Sequence, residues 1–145
     1  MEIVRVAEAG GIITHAELLA HAEPVHRQLR PQIPEDYLAR LAEVFRGGAE
    51  MVVAVNEGDV VGVCVFRVML NTMSGRYLYI DDLVADSTGR GKGVGKALME
   101  FAVAEAGRRE CSAVQLSSGT QREQAHRFYF REGFTIKSFG FSRAP

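Results

Sequence analysis

The feature that most constrains this chain is the run Gly89-Arg90-Gly91-Lys92-Gly93-Val94-Gly95. Four of the 15 glycines fall in these seven residues, whereas a plain surface turn needs one. An extended apolar stretch, Tyr77 to Ala85, precedes the run. A helix-period stretch follows it, with Val94, Ala97, Leu98, Phe101 and Ala102 along one stripe. Strand, glycine-rich loop and helix, in that order, make a phosphate-binding arrangement. Glycines let backbone N–H groups approach a ligand closely, the helix N-terminus carries roughly half a positive charge, and Arg90, Lys92 and Lys96 add full charges.

The rest of the sequence supplies the elements around that loop. Residues 2–7 alternate and read as a strand. Residues 12–29 read as a helix that Pro24 must kink or split. A second helix is expected from Pro34, with Glu35 and Asp36 at its positive end, Tyr37, Leu38, Leu41, Val44 and Phe45 on its apolar face, and Gly47-Gly48 as the stop. Met51 to Val55 and Val60 to Leu70 flank the turn sequence Asn56-Glu57-Gly58-Asp59 and predict a hairpin. Residues 112–117 read as a buried strand, 121–132 as a helix and 134–141 as a final strand. The order β-α-α-β-β-β-α-β-α-β implies an α/β fold with a mixed, mostly antiparallel central sheet flanked by helices, in one domain over residues 1–145.

Two common phosphate loops do not fit. A Walker A loop counted back from Gly95-Lys96 would need glycine where Arg90 stands and Ser or Thr where Ala97 stands. The dinucleotide pattern Gly-x-Gly-x-x-Gly fails in every register, and this loop follows a hairpin pair rather than a first parallel strand. Arg90-x-x-Gly93-x-Gly95, after a strand and at a helix start, resembles the coenzyme A pyrophosphate loop of the GNAT-type N-acetyltransferase superfamily. Downstream, Ala125-His-Arg-Phe-Tyr129-Phe-Arg-Glu-Gly133-Phe134 is similar to that superfamily's Ala-x3-Tyr-x3-Gly-Phe helix motif. One helix and one strand separate the two motifs, as in the family, and the resemblance covers nearly the whole chain.

The resemblance implies an acetyl-CoA-dependent N-acetyltransferase. Backbone groups of Leu83, Val84 and Ala85 would hold the pantetheine arm, and one of their N–H groups would polarise the thioester carbonyl. Arg90, Gly91, Lys92, Gly93, Val94, Gly95 and Lys96 would form the pyrophosphate cradle. Tyr129 would protonate the leaving sulfur, because its phenol is neutral at pH 7 and has a proton to give. A protonated amine must lose a proton before it attacks, and Asp81 is expected to take it, directly or through a water. Asp82 is the neighbouring alternative, and strand alternation would send the two carboxylates to opposite faces, with Asp81 beside Tyr77 and Tyr79. Taken alone, Tyr129 also reads as a core aromatic and Asp81 as a structural carboxylate. Many relatives have Asn where Arg122 stands, so a cofactor contact must be replaced.

The acceptor is less legible. The expected acceptor wall near residues 28–35 and its flanks holds Arg27, Arg30, Glu35, Asp36 and Tyr37, mixed in sign. A small or amino-acid-like primary amine is the first expectation, and a protein N-terminus or lysine the second. A non-catalytic CoA-binding regulatory module and a purely structural domain are the readings from other classes. Lys plus Arg number 17 and Asp plus Glu 18, for a net charge of −1. That balance points away from nucleic-acid and polybasic membrane partners. No apolar run approaches the ~18–20 residues of a membrane span, and Met1-Glu2-Ile3-Val4-Arg5 does not read as a signal peptide, so a cytoplasmic enzyme is expected. Cys64 and Cys111 form no Cys-x-x-Cys pair and read as buried, inert thiols. His15, His21, His26 and His126 show no metal-ligand spacing, so no metal is expected. Family habit points to a homodimer.

Overall fold

A computed structural model describes residues 1–89 and 92–145. The chain divides into two units, Met1–Gln115 and Leu116–Pro145. The first is built on strands β1 (Glu2–Glu8), β2 (Ile12–Ile13), β3 (Glu50–Asn56), β4 (Asp59–Asn71) and β5 (Gly75–Ala85). Its helices are α1 (Ala16–His21), α2 (Glu23–Leu29), α3 (Tyr37–Arg46) and α4 (Val94–Arg108). A short strand β6 (Val114–Leu116) completes a sheet of six strands in the order β2-β1-β3-β4-β5-β6. The pairings from β2 through β5 are all antiparallel. Backbone bonds from Ser112 to Arg76 (2.7 Å) and from Leu78 to Ala113 (3.0 Å) lay the approach to β6 along β5. The expected mixed, mostly antiparallel sheet flanked by helices is the observed one.

The unbroken apolar run of β3 follows from burial on both faces. Met51, Val53, Val63 and Val65 pack with Leu19, Val25, Tyr37, Leu41 and Phe45 of the early helices. Val52, Cys64 and Phe66 alternate to the other face, where α4 lies with Leu98, Met99 and Ala102 buried. Burying a side chain of this size contributes about 1.5–3 kcal/mol, so the two layers hold β3 and β4 from both sides.

Three expected elements differ. Residues 12–29 do not form one helix. Ile12 and Ile13 pair with Glu8 and Ala7, and Pro24 begins α2 rather than continuing α1, because its ring and missing N–H are tolerated only in a first turn. The helix expected from Pro34 starts at Tyr37. Asp36 is its N-cap and accepts from Ala39 N at 3.1 Å, which satisfies a donor that would otherwise stand open. Residues 134–141 carry no strand. Its apolar residues change phase between Ile136 and Phe139, so they do not line one face of a strand, and Ile136, Phe139 and Phe141 are exposed.

The α4 face contains an ionic knot. Glu50 of β3 and Glu105 of α4 are both buried. Arg5 bonds Glu50 at 2.6 Å and Glu105 at 2.9 Å, and Arg109 reaches Glu50 at 2.5 and 2.8 Å. The Arg5 guanidinium also lies 5.8 and 5.7 Å from the ring centres of Phe66 and Phe101. Hydrogen bonds from Arg108 and Arg109, with the charges of Arg109 and Arg5, outweigh burial and bring the Glu105 carboxyl down to about 2. A depressed carboxylate stabilises the fold above its ordinary pKa and loses that contribution as pH falls toward the depressed value. Urea melts should therefore show a loss of stability between the ordinary glutamate range and about pH 2. Glu105→Gln should lose about 3 kcal/mol at neutral pH, the usual effect of removing one partner from a buried pair. A variant as stable as wild type would show that the knot is solvated rather than structural.

Candidate active site

β5 is not a regular strand. Val65 of β4 pairs with Asp82, but the next residue, Phe66, pairs with Ile80, so Asp81 is the extra residue of a β-bulge. A bulge sets both of its residues against one partner residue. The expectation that alternation separates Asp81 from Asp82 is therefore overturned. Before the bulge, Tyr77, Tyr79 and Asp81 share the face of Met69 and Arg67. After it, Asp82 and Val84 share the face of Val65 and Val63, which is the same face. Arg30 of α2 spans the two positions, donating from Nε to Asp82 Oδ1 at 2.6 Å and from Nη2 to the Asp81 carbonyl at 3.1 Å.

The two carboxylates have different partners. Asp82 Oδ2 accepts from His26 Nε2 at 2.8 Å, and His26 Nδ1 lies 3.0 Å from the Tyr37 hydroxyl. His26 is only 2% exposed. With its proton on Nε2, the imidazole donates to Asp82 and accepts the Tyr37 O–H, so every member of the chain is satisfied. Burial alone would raise Asp82, but hydrogen bonds from His26 and Arg30 and the charge of Arg30 outweigh it and hold the carboxyl below its ordinary value. Asp81 accepts from Arg67 Nε at 2.8 Å and Nη2 at 2.8 Å, both on Oδ2. Burial pushes its carboxyl up. The bond and charge of Arg67 oppose that rise, and the neighbouring Asp82 charge adds to it. The two adjacent carboxylates are thus pushed in opposite directions, Asp82 toward the ionised form and Asp81 toward the protonated one. The Tyr37 hydroxyl, raised chiefly by burial, stays a donor.

Beyond Ala85 the chain enters the glycine-rich run, in which Arg90 and Gly91 lie outside the described residues. Asp86 anchors its start. Gln28 of α2 donates to Asp86 Oδ1 at 2.6 Å and accepts from Ser87 N at 2.9 Å, and the Thr88 hydroxyl donates to Asp86. Gly93 is the N-cap of α4 with φ of +79° and offers no side-chain cap, a conformation that glycine adopts without strain. The first-turn N–H groups of Val94, Gly95 and Lys96 have no intrahelical acceptor, so they can serve an anion. Lys92 and Lys96 are exposed, and a cavity of about 220 Å³ opens beside Lys92, lined also by Asn56, Val61, Thr88, Gly89 and Val94. Gly62 fixes the height of α4 above the sheet. A Cβ there would stand 2.5 Å from Val94 and 3.0 Å from Leu98.

In the second unit, α5 (Glu123–Arg131) carries Tyr129. Its ring packs at 5.5 Å from Phe128 and 6.0 Å from Phe134, and its carbonyl accepts from Phe134 N at 3.0 Å. His126 bonds the Gly119 carbonyl at 2.8 Å. Cys64 is fully buried as expected, and burial raises its thiol. Cys111 is only half-buried. Among the described residues no cluster of three metal-binding side chains occurs and no helix is long and apolar enough to cross a membrane.

Residues 15–134 match the model of the acetyltransferase (GNAT) family. The chain belongs to the GNAT acetyltransferases. It is 35% identical over 134 residues to YhdJ, an uncharacterized N-acetyltransferase of Bacillus subtilis (strain 168), covering 90% of this chain and 94% of that one. It is 32% identical over 92 residues to the aminoalkylphosphonate N-acetyltransferase of Salmonella typhimurium (strain LT2), covering 63% and 60%. The fold superposes on AAC(6')-Iy, solved with a CoA bisubstrate analogue, with a TM-score of 0.83 at 15% identity over 99% and 97% of the two chains. As a GNAT acetyltransferase the protein is an acetyl-CoA-dependent acyltransferase. Sequence reasoning set Arg30 and Tyr37 in the expected acceptor wall but gave no part to His26 or Arg67. Those two read locally as ordinary helix and strand residues, and only the fold brings them onto Asp82 and Asp81.

Gly62→Ala tests how the loop is positioned. The new methyl group must push the first turn of α4 away from β4, at a stability loss of about 1–3 kcal/mol. The variant should also lose most of the thermal shift that coenzyme A gives the wild type. An unchanged shift would mean that the first turn of α4 takes no part in binding.

Proposed function

We propose that this enzyme transfers the acetyl group of acetyl-CoA directly to the primary amine of a small molecule. The observation that carries the reading is the pair Asp81 and Asp82, brought to one face by the bulge and held in opposite protonation tendencies just before Leu83, Val84 and Ala85. In this reading Asp81 takes a proton from the substrate ammonium. The amine lone pair then forms the C–N bond at the thioester carbonyl carbon. A backbone N–H of the 83–85 segment stabilises the oxyanion, the C–S bond breaks, and CoA leaves as a thiolate that receives its proton from Tyr129.

The cradle of this reading is Arg90 and Gly91 with Lys92, Gly93, Val94, Gly95 and Lys96. Its support is the uncapped glycine start of α4 with two exposed lysines beside it. A small acceptor is supported by a relative whose name carries aminoalkylphosphonate acetyl transfer.

Acetyl-CoA at about 100 times its dissociation constant should add about 2.7 kcal/mol and raise the melting temperature by several degrees. No rise would overturn the cofactor assignment. Asp81→Asn should lower kcat/KM by about 10²–10⁴-fold. Wild-type activity should decline as pH falls through the raised Asp81 value, and this acidic limb should vanish in the variant. A variant with wild-type turnover at every pH would remove Asp81 from the mechanism. Tyr129→Phe should depress kcat with little change in acetyl-CoA binding, measured by the same melt.

A further inference from the structure

The face that carries the bulge is electrically balanced, and one of its ion pairs is open. Asp82 is closed: Arg30 holds one oxygen, His26 the other, and the side chain is 15% exposed. Arg27, on the same side, is paired with Glu23 and with the carbonyls of Ile33 and Pro34. The Asp81–Arg67 pair differs. Its side chains are 27% and 29% exposed, and Arg67 places both of its bonds on Oδ2. Asp81 Oδ1 and Arg67 Nη1 therefore bond no other described residue. The pair thus leaves one carboxylate oxygen and one guanidinium nitrogen that its own bonds do not use. Tyr79 lies directly across the strand from Arg67.

A site for a polycation would present an excess of carboxylate. Here Asp81 and Asp82 are each matched by a guanidinium, so a second ammonium close to them would meet Arg67 or Arg30. We propose that the acceptor is a short zwitterion, an amine with a carboxylate or phosphonate a few carbons away. Its ammonium meets Asp81 Oδ1 and its acid group meets the open edge of Arg67, which planar guanidinium geometry suits. This rests on the reading of Asp81 as the base. The transfer step is unchanged: the ammonium gives its proton to Asp81, the C–N bond forms as the C–S bond breaks, and the acid group takes no part in the bond changes. Arg67 is thus a specificity-determining residue.

The test compares β-alanine, n-propylamine and the diamine of the same carbon chain as acceptors, with CoA thiol release as the readout. In the wild type, kcat/KM for β-alanine should exceed that for propylamine by about tenfold or more, chiefly through KM, and the diamine should be poorest. In Arg67→Gln the damage to Asp81 is common to all acceptors and cancels in the ratio, so the β-alanine preference should collapse toward one. Arg67→Lys should keep part of it.

Propylamine or the diamine matching β-alanine in the wild type would overturn the proposal, as would a preference that survives Arg67→Gln. Thiol release with peptide amino termini but with none of the three would also overturn it, while leaving the acetyltransferase reading intact. No release with any amine, together with no thermal shift by acetyl-CoA, would overturn both.

Discussion

The site depends on one extra residue. If Val65 and Phe66 faced consecutive residues of β5, Asp81 and Asp82 would point to opposite sides of the sheet. One would then be pressed into the apolar layer under α4, where an unpaired carboxylate is strongly disfavoured. Inserting Asp81 as a bulge turns both acids toward the early helices, where His26, Arg30 and Arg67 can meet them. The division of their ionisation follows from that geometry. The acid with two cationic or N–H partners on separate oxygens is held ionised. The acid with one partner on one oxygen is left with its burial and its neighbour's charge.

Helix α2 locks this arrangement. It has seven residues, too short to be stable alone, yet it reaches β5 and the following loop at three points. His26 and Arg30 hold Asp82, and Gln28 holds Asp86 and Ser87. On the opposite face, Gly62 lets α4 sit low against β4, and the knot of Arg5, Glu50, Glu105 and Arg109 ties the far end of α4 to β1 and β3. The stretch from Asp81 to Ser87 is therefore tied to the end of α2 at Asp82, Asp86 and Ser87, while α4 is held low against the other face of the sheet.

Much of the fold was legible because it is written in local periods. The two-sided apolar run of β3, the stripe of α4 and the glycine-rich loop each carry their signal within a dozen residues. The family likeness needed only the spacing around Gly93, Gly95, Tyr129 and Gly133. The bulge was not legible, because a bulge is a relation between two strands and leaves no mark in either one alone. Reading β5 by strict alternation therefore separated Asp81 from Asp82. His26 was hidden for a similar reason. A lone histidine on a short helix has no pattern, and its role appears only when Tyr37 and Asp82 close on its two nitrogens. The strand expected at 134–141 shows the opposite error, in which a run rich in apolar and aromatic residues forms no strand.

The likeness to an aminoglycoside acetyltransferase, close in fold at 15% identity, does not carry an acceptor with it. A backbone shared at that level fixes where strands and helices run. Acceptor choice resides in which charges line one face, and that can change with a single side chain. Position 67 is such a place. It stands across from Tyr79 at the last pairs before the bulge, so whatever occupies it lies beside Asp81 without altering the sheet. Arginine there neutralises Asp81 in the resting site and keeps an edge for an anion. A shorter neutral residue would leave Asp81 alone and make the same face attractive to cations. The bulge thus fixes which face Asp81 and Asp82 share, and the residue opposite Tyr79 sets the charge that stands beside Asp81.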